Sequence, residues 1–291
     1  MLRWEPALVS DSLTEEPVAT ELVRWWVRSS LDTDHETEAK QAEAKLTAFD
    51  VETSACFVLY YEQWDRMDEA IARLQSIIGH LREHQQKLSD PLESRFSYGY
   101  PSQANHYYEW LVTILVKTGR QKEADTWYVQ WFEAVPSLEL FKICLDTVPP
   151  EERTLQAQKW TAYVRSLEGY QDLLMDMHLQ VKDPDGAWQV YLEQSRRFAS
   201  SLLSRSARRV FDAITVHDPI RLVPILQQFA EKSIAAKNRS SYQRATQWLT
   251  ELKSVYGRMN QTDEWNQYLR SLRDTHRRLP ALQDELLKAK L

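Results

Sequence analysis

The residues His80–His84 form the one stretch of this sequence that matches a catalytic metal motif. Their order, H-x-x-E-H, is that of inverted zinc peptidases, and two histidines four residues apart share one face of a helix, as a zinc site requires. Peptidases of that class also need a third ligand and a large catalytic framework. The same residues fit the polar end of an amphipathic helix. We interpret them as a helix end, and keep a zinc peptidase, with His80 and His84 as metal ligands, as an alternative.

No other set of residues has the spacing of an active site. The remaining histidines are scattered, and none is within helical reach of a cysteine: His35, His106, His178, His217 and His276. The sequence contains no glycine-rich phosphate loop and no G-x-S-x-G nucleophile elbow. Cys56 and Cys144 are 88 positions apart among apolar neighbours, so we interpret both as small core residues. We therefore expect a protein without enzyme activity, catalytic residues or cofactors.

Charge is distributed unevenly along the chain. Residues 1–194 contain 18 Lys and Arg against 33 Asp and Glu, a net charge of −15, whereas residues 195–291 contain 18 against 9, a net charge of +9. A basic end on an acidic body predicts a polyanionic or acidic partner for that end. The alternative is that the basic end packs against the acidic body of the same or a second molecule.

The arginines of the basic part form two clusters. The first spans two predicted helices and the second ends a third: Arg196, Arg197, Arg205, Arg208 and Arg209, then Arg270, Arg273, Arg277 and Arg278. Arginines three and four residues apart form a stripe that can meet phosphates or a carboxylate-rich surface. A solvated structural face is the other interpretation. We treat these arginines as a hypothetical binding surface, and direct nucleic-acid binding through the basic C-terminal half as the alternative function.

Composition favours helices and a soluble protein. The 291 residues include only 6 glycines, with 11 tryptophans and 13 tyrosines to fill the spaces between helices. No apolar run approaches the ~18–20 residues of a membrane span, and residues 1–16 lack the apolar core of a signal peptide. Two isolated cysteines fit a reducing cytosol. We therefore predict a cytoplasmic protein, with no membrane partner.

The C-terminal residues have the clearest helical periodicity. Asn238 is expected to cap a helix that runs to about Tyr256 and stops at Gly257. Its buried face is predicted to comprise Tyr242, Ala245, Leu249, Leu252, Val255 and Tyr256. Thr262 is expected to cap the next helix, and Pro280 to begin the last. That last helix is predicted to bury Leu282, Leu286 and Leu287.

At these residues the chain resembles the C-terminal helical region of bacterial SWIM zinc-finger proteins. The matching features are Tyr242 with Ala245, then Glu264, Trp265, Tyr268 and Leu269, then Arg277 with Arg278, and finally Leu282–Leu287. The specific match covers 219–291, about a quarter of the chain. The finger itself needs a C-x-C pair and a later C-x-H, which two distant cysteines do not provide. The resemblance implies either the helical part of a longer or split protein, or a relative that lost the finger.

A second pattern resembles a tetratricopeptide repeat. Gly119, Ala124, Tyr128 and Pro136 have the spacing of the second half of that repeat, in which small residues let two helices approach closely. The corresponding small residues elsewhere are Ala70, Ala187 and Ala245. Their successive intervals of 54, 63 and 58 residues exclude a regular array with a period of 34. An irregular stack of helix pairs remains.

Three local predictions concern the rest of the chain. A first helix is expected from Pro17 to about Ser30, with Leu22, Trp25, Trp26 and Ser29 facing inward. Asp183–Gly186, with the sequence DPDG, predicts a turn. Residues 85–103 are expected to form the longest loop, whose segment 94–102, SRFSYGYPS, folds back over a groove.

Together these observations predict an all-α, irregular tetratricopeptide-like solenoid of stacked antiparallel helix pairs. Its expected parts are a loose arm at residues 1–16, an acidic helical-repeat region at 17–218 and a basic helical region at 219–291, the last two forming one continuous solenoid. The predicted function is a non-enzymatic protein-interaction scaffold. By resemblance alone, the implied protein partner is a Swi/Snf-type helicase-like ATPase, which would make the module DNA-associated. The oligomeric state is left open.

Overall fold

The computed structural model describes residues 16–46, 48–87, 100–197 and 204–291. Within these ranges every element is helical and no strand occurs, which confirms the all-α prediction. None of the described helices combines the length and apolarity needed to cross a membrane. Residues 1–15 of the predicted arm and 88–99 of the predicted loop lie outside the described ranges. The loop boundaries were wrong at both ends, because residues 85–87 belong to the helix Met67–Lys87 and residues 100–103 begin the helix Tyr100–Lys117.

The described helices are α1 (Glu16–Asp32), α2 (Glu36–Glu43), α3 (Val51–Gln63), α4 (Met67–Lys87), α5 (Tyr100–Lys117), α6 (Gln121–Ala134), α7 (Leu138–Thr147), α8 (Arg153–Ser166), α9 (Gln171–Gln180), α10 (Pro184–Arg197), α11 (Arg205–His217), α12 (Leu222–Ala235), α13 (Arg239–Arg258), α14 (Thr262–Thr275) and α15 (Pro280–Lys288). A short 3-10 helix at Pro219–Arg221 precedes α12.

The chain forms two compact units, residues 1–148 and 149–291. The first contains α1–α7 and the second contains α8–α15. The predicted division between residues 218 and 219 comes from the resemblance at 219–291 and lies inside the second unit, so it stays a prediction. The units themselves also differ in charge: the first has 14 Lys and Arg against 25 Asp and Glu, and the second has 22 against 17.

Consecutive helices pack against each other within each unit. In the first unit α4 packs on α3 and α5, and α6 packs on α5 and α7. In the second, α10 packs on α9 and α11, and α13 packs on α12, α14 and α15. The small residues predicted at these helix pairs have no solvent exposure: Ala70, Ala124, Ala187 and Ala245 are each 0% exposed. Side chains of this size allow neighbouring backbones to approach closely.

Helix α13 matches its predicted buried face. All six predicted residues are buried, and the Asn238 side chain accepts a hydrogen bond from the Ser241 backbone N–H at 2.9 Å. The predicted stop at Gly257 was wrong, because the helix continues through Arg258. Asn260, with φ of 57°, takes the left-handed conformation that follows the helix end. Asparagine tolerates this conformation, so glycine was not required there.

Three further local predictions need correction. Asp183–Gly186 is the start of α10: Pro184 is its first residue, and the Asp183 carboxylate accepts from the Gly186 N–H at 2.8 Å. A Cβ at Gly186 would overlap the His178 ring, which explains the glycine. Gln261, not Thr262, precedes α14, and its side chain makes no capping hydrogen bond. Leu287 is 73% exposed, because α15 turns Leu282 and Leu286 inward.

The predicted inward face of α1 was wrong in part: Trp26 packs against the core and Ser29 is half-buried, but Leu22 and Trp25 are not buried. Leu22 and Trp25 are 40% and 62% exposed, whereas Val23, Val27 and Leu31 form the buried side. Arg24 of α1 forms ion pairs near the start of α3. Arg24 donates to the Asp50 carboxylate at 2.6 Å, next to the start of α3, and approaches Glu52 at 2.9 Å. These contacts join α1 to the start of α3.

Helix α2 is held to its neighbours by the carboxylate of Glu36. It accepts hydrogen bonds from Arg66 at 2.6 Å and from the Tyr61 hydroxyl at 3.0 Å, and it pairs with Lys40 at 2.6 Å. The hydrogen bond from Arg66 is the main reason that the pKa of Glu36 falls to about 2, and burial opposes this shift. The charged form of Glu36 is therefore the one that stabilises the first unit.

This arrangement predicts an acid-dependent effect of Glu36→Gln. Because the pKa of Glu36 falls from 4.5 in the unfolded chain to about 2 in the folded one, its stabilisation is present above pH 4.5 and is lost as pH falls towards 2. Solvent screening at the part-exposed ion pairs limits the effect, so we expect the variant to unfold about 1–2 kcal/mol more easily at pH 7.

Urea unfolding between pH 7 and pH 2.5 measures this difference. Glu38→Gln, an exposed residue of the same helix, is the matched control and should behave as wild type throughout. A difference between Glu36→Gln and wild type that does not shrink in acid would contradict the assignment.

Close helix approach at Ala245 predicts a second stability effect. Leucine at this fully buried position forces α13 away from α12, and we expect Ala245→Leu to destabilise the second unit by about 1–3 kcal/mol. Ala235→Leu places the same side chain at an exposed position of α12 and should change stability by less than about 0.5 kcal/mol. Chemical denaturation of both variants tests this, and equal effects would argue against close packing.

Candidate functional site

A surface pocket of about 320 Å³ opens between α11, α12 and α13 in the second unit. We call it the α11–α13 groove. Its lining residues come from two turns of α11, the start of α12 and the second half of α13: Arg208, Phe211, Asp212, Thr215, Val216, Leu222, Leu226, Glu251, Ser254, Val255 and Arg258. This volume is at the lower end of the range for ligand pockets in proteins.

The floor of the α11–α13 groove is apolar. Phe211, Leu222, Leu226 and Val255 contribute to it, and each is at most 7% exposed. Val216 lies in the lining near the end of α11 and is 78% exposed. A β-branched apolar side chain with that exposure extends the apolar surface of the floor towards solvent. The groove therefore offers hydrophobic contact area to a molecule that enters it.

One part of the rim is an ion-pair cluster. The Arg208 guanidinium donates to the Glu251 carboxylate of α13 and lies 3.5 Å from Asp212 of its own helix. The hydrogen bond to Glu251 raises the pKa of Arg208 above its ordinary value. These contacts link α11 to α13 across the groove. Arg208 is thereby engaged by carboxylates of this chain.

The opposite side of α11 forms hydrogen bonds with α9. The Ser206 hydroxyl donates to Asp176 at 3.0 Å, and Arg209 donates to the same carboxylate at 2.7 Å. The Ser204 hydroxyl donates to Asp172 at 2.9 Å and also accepts from the backbone N–H of Ala207, which caps α11. Helix α11 therefore forms polar contacts with α9 on one side and with α13 on the other.

The structure separates the predicted arginines by what they contact. Arg208, Arg209 and Arg273 have partners within the chain, the last donating to the Leu291 carbonyl oxygen. Four others are exposed and form no ion pair with any described acidic side chain: Arg205, Arg270, Arg277 and Arg278. The side chains of Arg196 and Arg197 lie outside the described part of the structure. The two clusters belong to different layers, because α11 packs on α9, α10 and α12 while α14 packs on α13.

The histidines of the H-x-x-E-H motif lie on one face of α4. Their ring centroids are 6.4 Å apart, and the His80 ring packs at 4.7 Å from Phe49. Across the residues that the structure describes, no three His, Cys, Asp or Glu side chains are grouped to hold a metal ion. The zinc-peptidase alternative stays a prediction.

Burial suppresses the reactivity of both cysteines. Cys144 is fully buried, and desolvation raises the pKa of its thiol to about 12. Cys56 is half-buried, and desolvation again raises its pKa. Both side chains are therefore neutral thiols at pH 7. The prediction of a core position is confirmed for Cys144.

Sequence reasoning missed the α11–α13 groove. Its walls come from helices whose facing residues, such as Arg208 and Glu251, are 43 positions apart, and no local pattern connects them. Arg258 belongs to neither predicted arginine cluster. The one signal that the sequence does carry is the apolar Val216 directly before His217 and Asp218, at the polar end of a helix.

Comparison with known proteins provides little further information. No protein-family model matches the chain. Uncharacterized protein YwqB of Bacillus subtilis (strain 168) is 37% identical over 78 residues. These residues cover 27% of this chain and 15% of that relative, so the similarity spans a small part of both proteins. The name of the relative assigns no activity.

Proposed function

We propose that this protein is a non-enzymatic protein-interaction scaffold, built as an irregular tetratricopeptide-like solenoid of antiparallel helix pairs. The packing of consecutive helices supports this, since short connections place antiparallel helices side by side. The fully buried alanines Ala70, Ala124 and Ala187, each the fourth residue of its helix, add support. Stacked helix pairs present continuous surfaces to macromolecules.

The α11–α13 groove is the observation that carries this proposal. It combines an apolar floor of Phe211, Leu222 and Leu226 with polar groups along its rim. Peptide-recognition sites have this composition, because apolar side chains supply affinity and polar groups fix orientation. Val216 exposes an apolar side chain at the groove although burial would stabilise it. A binding partner that covers Val216 would remove that exposure.

The partner that we propose follows from the resemblance to SWIM zinc-finger proteins. Its residues Tyr242, Ala245 and Trp265 are buried at helix contacts, which fits a retained helical framework. On this basis we propose a role beside a Swi/Snf-type helicase-like ATPase, and therefore an association with DNA through that partner. We also propose a cytoplasmic location, supported by two unbridged cysteines.

Site-specific photo-crosslinking tests the scaffold proposal. We expect p-benzoylphenylalanine at Val216, in the groove, to crosslink to a purified Swi/Snf-type helicase-like ATPase from the same organism. The same probe at Lys159, an exposed residue of α8 in the same unit, is the matched control and should not. Equal yields at both positions, or none at Val216, would exclude the groove as the contact for that ATPase. An intrinsic hydrolytic activity abolished by one point mutation would contradict the non-enzymatic role.

Direct nucleic-acid binding is the second candidate function. It is favoured by Arg277 and Arg278, which follow α14, are exposed and have no described acidic partner. Together with the exposed Arg270, they leave several cations available to phosphates. Arg208 and Arg209 are weaker candidates, because carboxylates of the chain already engage them.

This candidate predicts different effects from the two pairs of arginines. Changing Arg277 and Arg278 to Ala should weaken binding to duplex DNA and RNA and reduce the slope of log affinity against log salt by about 2. Changing Arg208 and Arg209 to Ala should have a smaller effect, since those charges are already paired. Fluorescence anisotropy over a salt titration measures both. Unchanged binding after the Arg277 and Arg278 substitutions would rule out this surface.

A further inference from the structure

Two hydrogen-bond donors in the α11–α13 groove have no partner within the described chain. Ser254 and Arg258 both line the groove, both are exposed, and neither makes a hydrogen bond or ion pair with any described residue. They are four residues apart on α13, so their side chains lie next to each other on one helix face. A hydroxyl beside a guanidinium is a donor pair suited to a carboxylate.

The acidic residues of the groove belong to the ion-pair cluster at its other end. Arg208 engages both Asp212 and Glu251. Glu251 precedes Arg258 by seven residues, about 10 Å along the helix axis. That separation is too long for a direct ion pair and is comparable to the screening length at physiological salt. The positive charge of Arg258 therefore has no close counter-charge in the groove.

The apolar surface lies beside these donors. Val255, which directly follows Ser254 in sequence, belongs to the floor with Leu222 and Leu226, and the exposed Val216 lines the same groove. A ligand that places an apolar side chain on this floor therefore brings its neighbouring groups close to Ser254 and Arg258. The groove combines a hydrophobic contact with an anion-binding pair.

We propose that the α11–α13 groove binds a peptide segment in which a carboxylate side chain adjoins an apolar side chain. The apolar side chain contacts the floor and Val216, and the carboxylate accepts hydrogen bonds from Ser254 and Arg258. This inference rests on the proposed scaffold function and specifies the chemistry of its partner. Because the second unit has an excess of basic residues, an acidic peptide segment is also attracted over longer distances.

A peptide fits the groove better than a nucleic acid. A phosphate backbone entering it would meet the Asp212 and Glu251 carboxylates as well as Arg258. The floor contains the aliphatic residues Leu222, Leu226 and Val255, and its one aromatic ring, Phe211, is only 7% exposed and packs against Trp188 and Tyr191. It therefore offers no open aromatic face for stacking bases. An apolar amino-acid side chain, by contrast, gains from removing its surface from water there.

Binding of designed peptides to the full chain tests this inference. The probes are fluorescein-labelled 12-residue peptides on a neutral Ser-Gly background, with a central Leu-Leu-Glu, Leu-Leu-Gln or Leu-Leu-Lys. We expect the Glu peptide to bind at least about fivefold more tightly than the Gln peptide, and the Lys peptide most weakly, because a charge-assisted hydrogen bond is formed only with Glu. Fluorescence anisotropy at two salt concentrations gives the affinities.

Substitutions in the protein then identify the donor pair. Arg258→Gln should reduce the affinity for the Glu peptide about tenfold and leave the affinity for the Gln peptide within about twofold. Arg277→Gln removes an exposed arginine outside the groove and is the matched control, with no expected change. Because the Arg258 side chain has no described partner in the chain, its loss should leave the thermal unfolding midpoint unchanged, which a melting curve checks.

The possible results separate this inference from the scaffold proposal. Peptides that bind in the groove without a preference for Glu, or that prefer Lys, would overturn the inference and leave the scaffold proposal standing. If no peptide binds and p-benzoylphenylalanine at Val216 captures no partner, both are overturned. Duplex DNA binding that Arg258→Gln abolishes would assign the groove to nucleic acid and overturn the peptide inference.

Discussion

Close packing of neighbouring helices is the constraint on which this structure depends. Several helices are short, such as α2 with 8 residues and α7 and α9 with 10 each, and isolated helices of that length are marginal in water. Each must therefore cover its apolar face with its neighbours. The fully buried Ala70, Ala124, Ala187 and Ala245 make this possible, because a methyl group separates two backbones by less than any larger side chain.

Ion pairs between helices accompany this packing. Arg24 joins α1 to Asp50 at the start of α3, and Arg209 and Arg208 join α11 to α9 and α13. Individual surface ion pairs contribute little free energy. The burial of apolar side chains therefore sets the rotation of each helix, and the ion pairs form between residues of the remaining faces. Trp25 and Val216 remain exposed although both are apolar.

The same physical reasons explain what the sequence could predict. The buried face of α13 was predicted residue by residue, because its apolar residues follow one continuous pattern of three- and four-residue steps. In α1 the tryptophans and valines offer two apolar faces, and the face that is buried depends on how α2 and α3 pack against the helix. Local periodicity contains no information about that choice. The α11–α13 groove is still harder to predict from the sequence, because it forms only when three helices have taken their positions.

Charge shows a further limit of sequence reasoning. Arginines of the C-terminal part contribute equally to its net charge, but only those without a carboxylate partner can offer that charge to another molecule at full strength. The charges of Arg208 and Arg209 are paired with carboxylates of this chain, although both residues belong to a predicted binding cluster. Arg258, outside both clusters, has no such contact and lies beside an apolar floor. The capacity for recognition therefore depends on which cations the fold leaves unpaired, and net charge alone does not identify them.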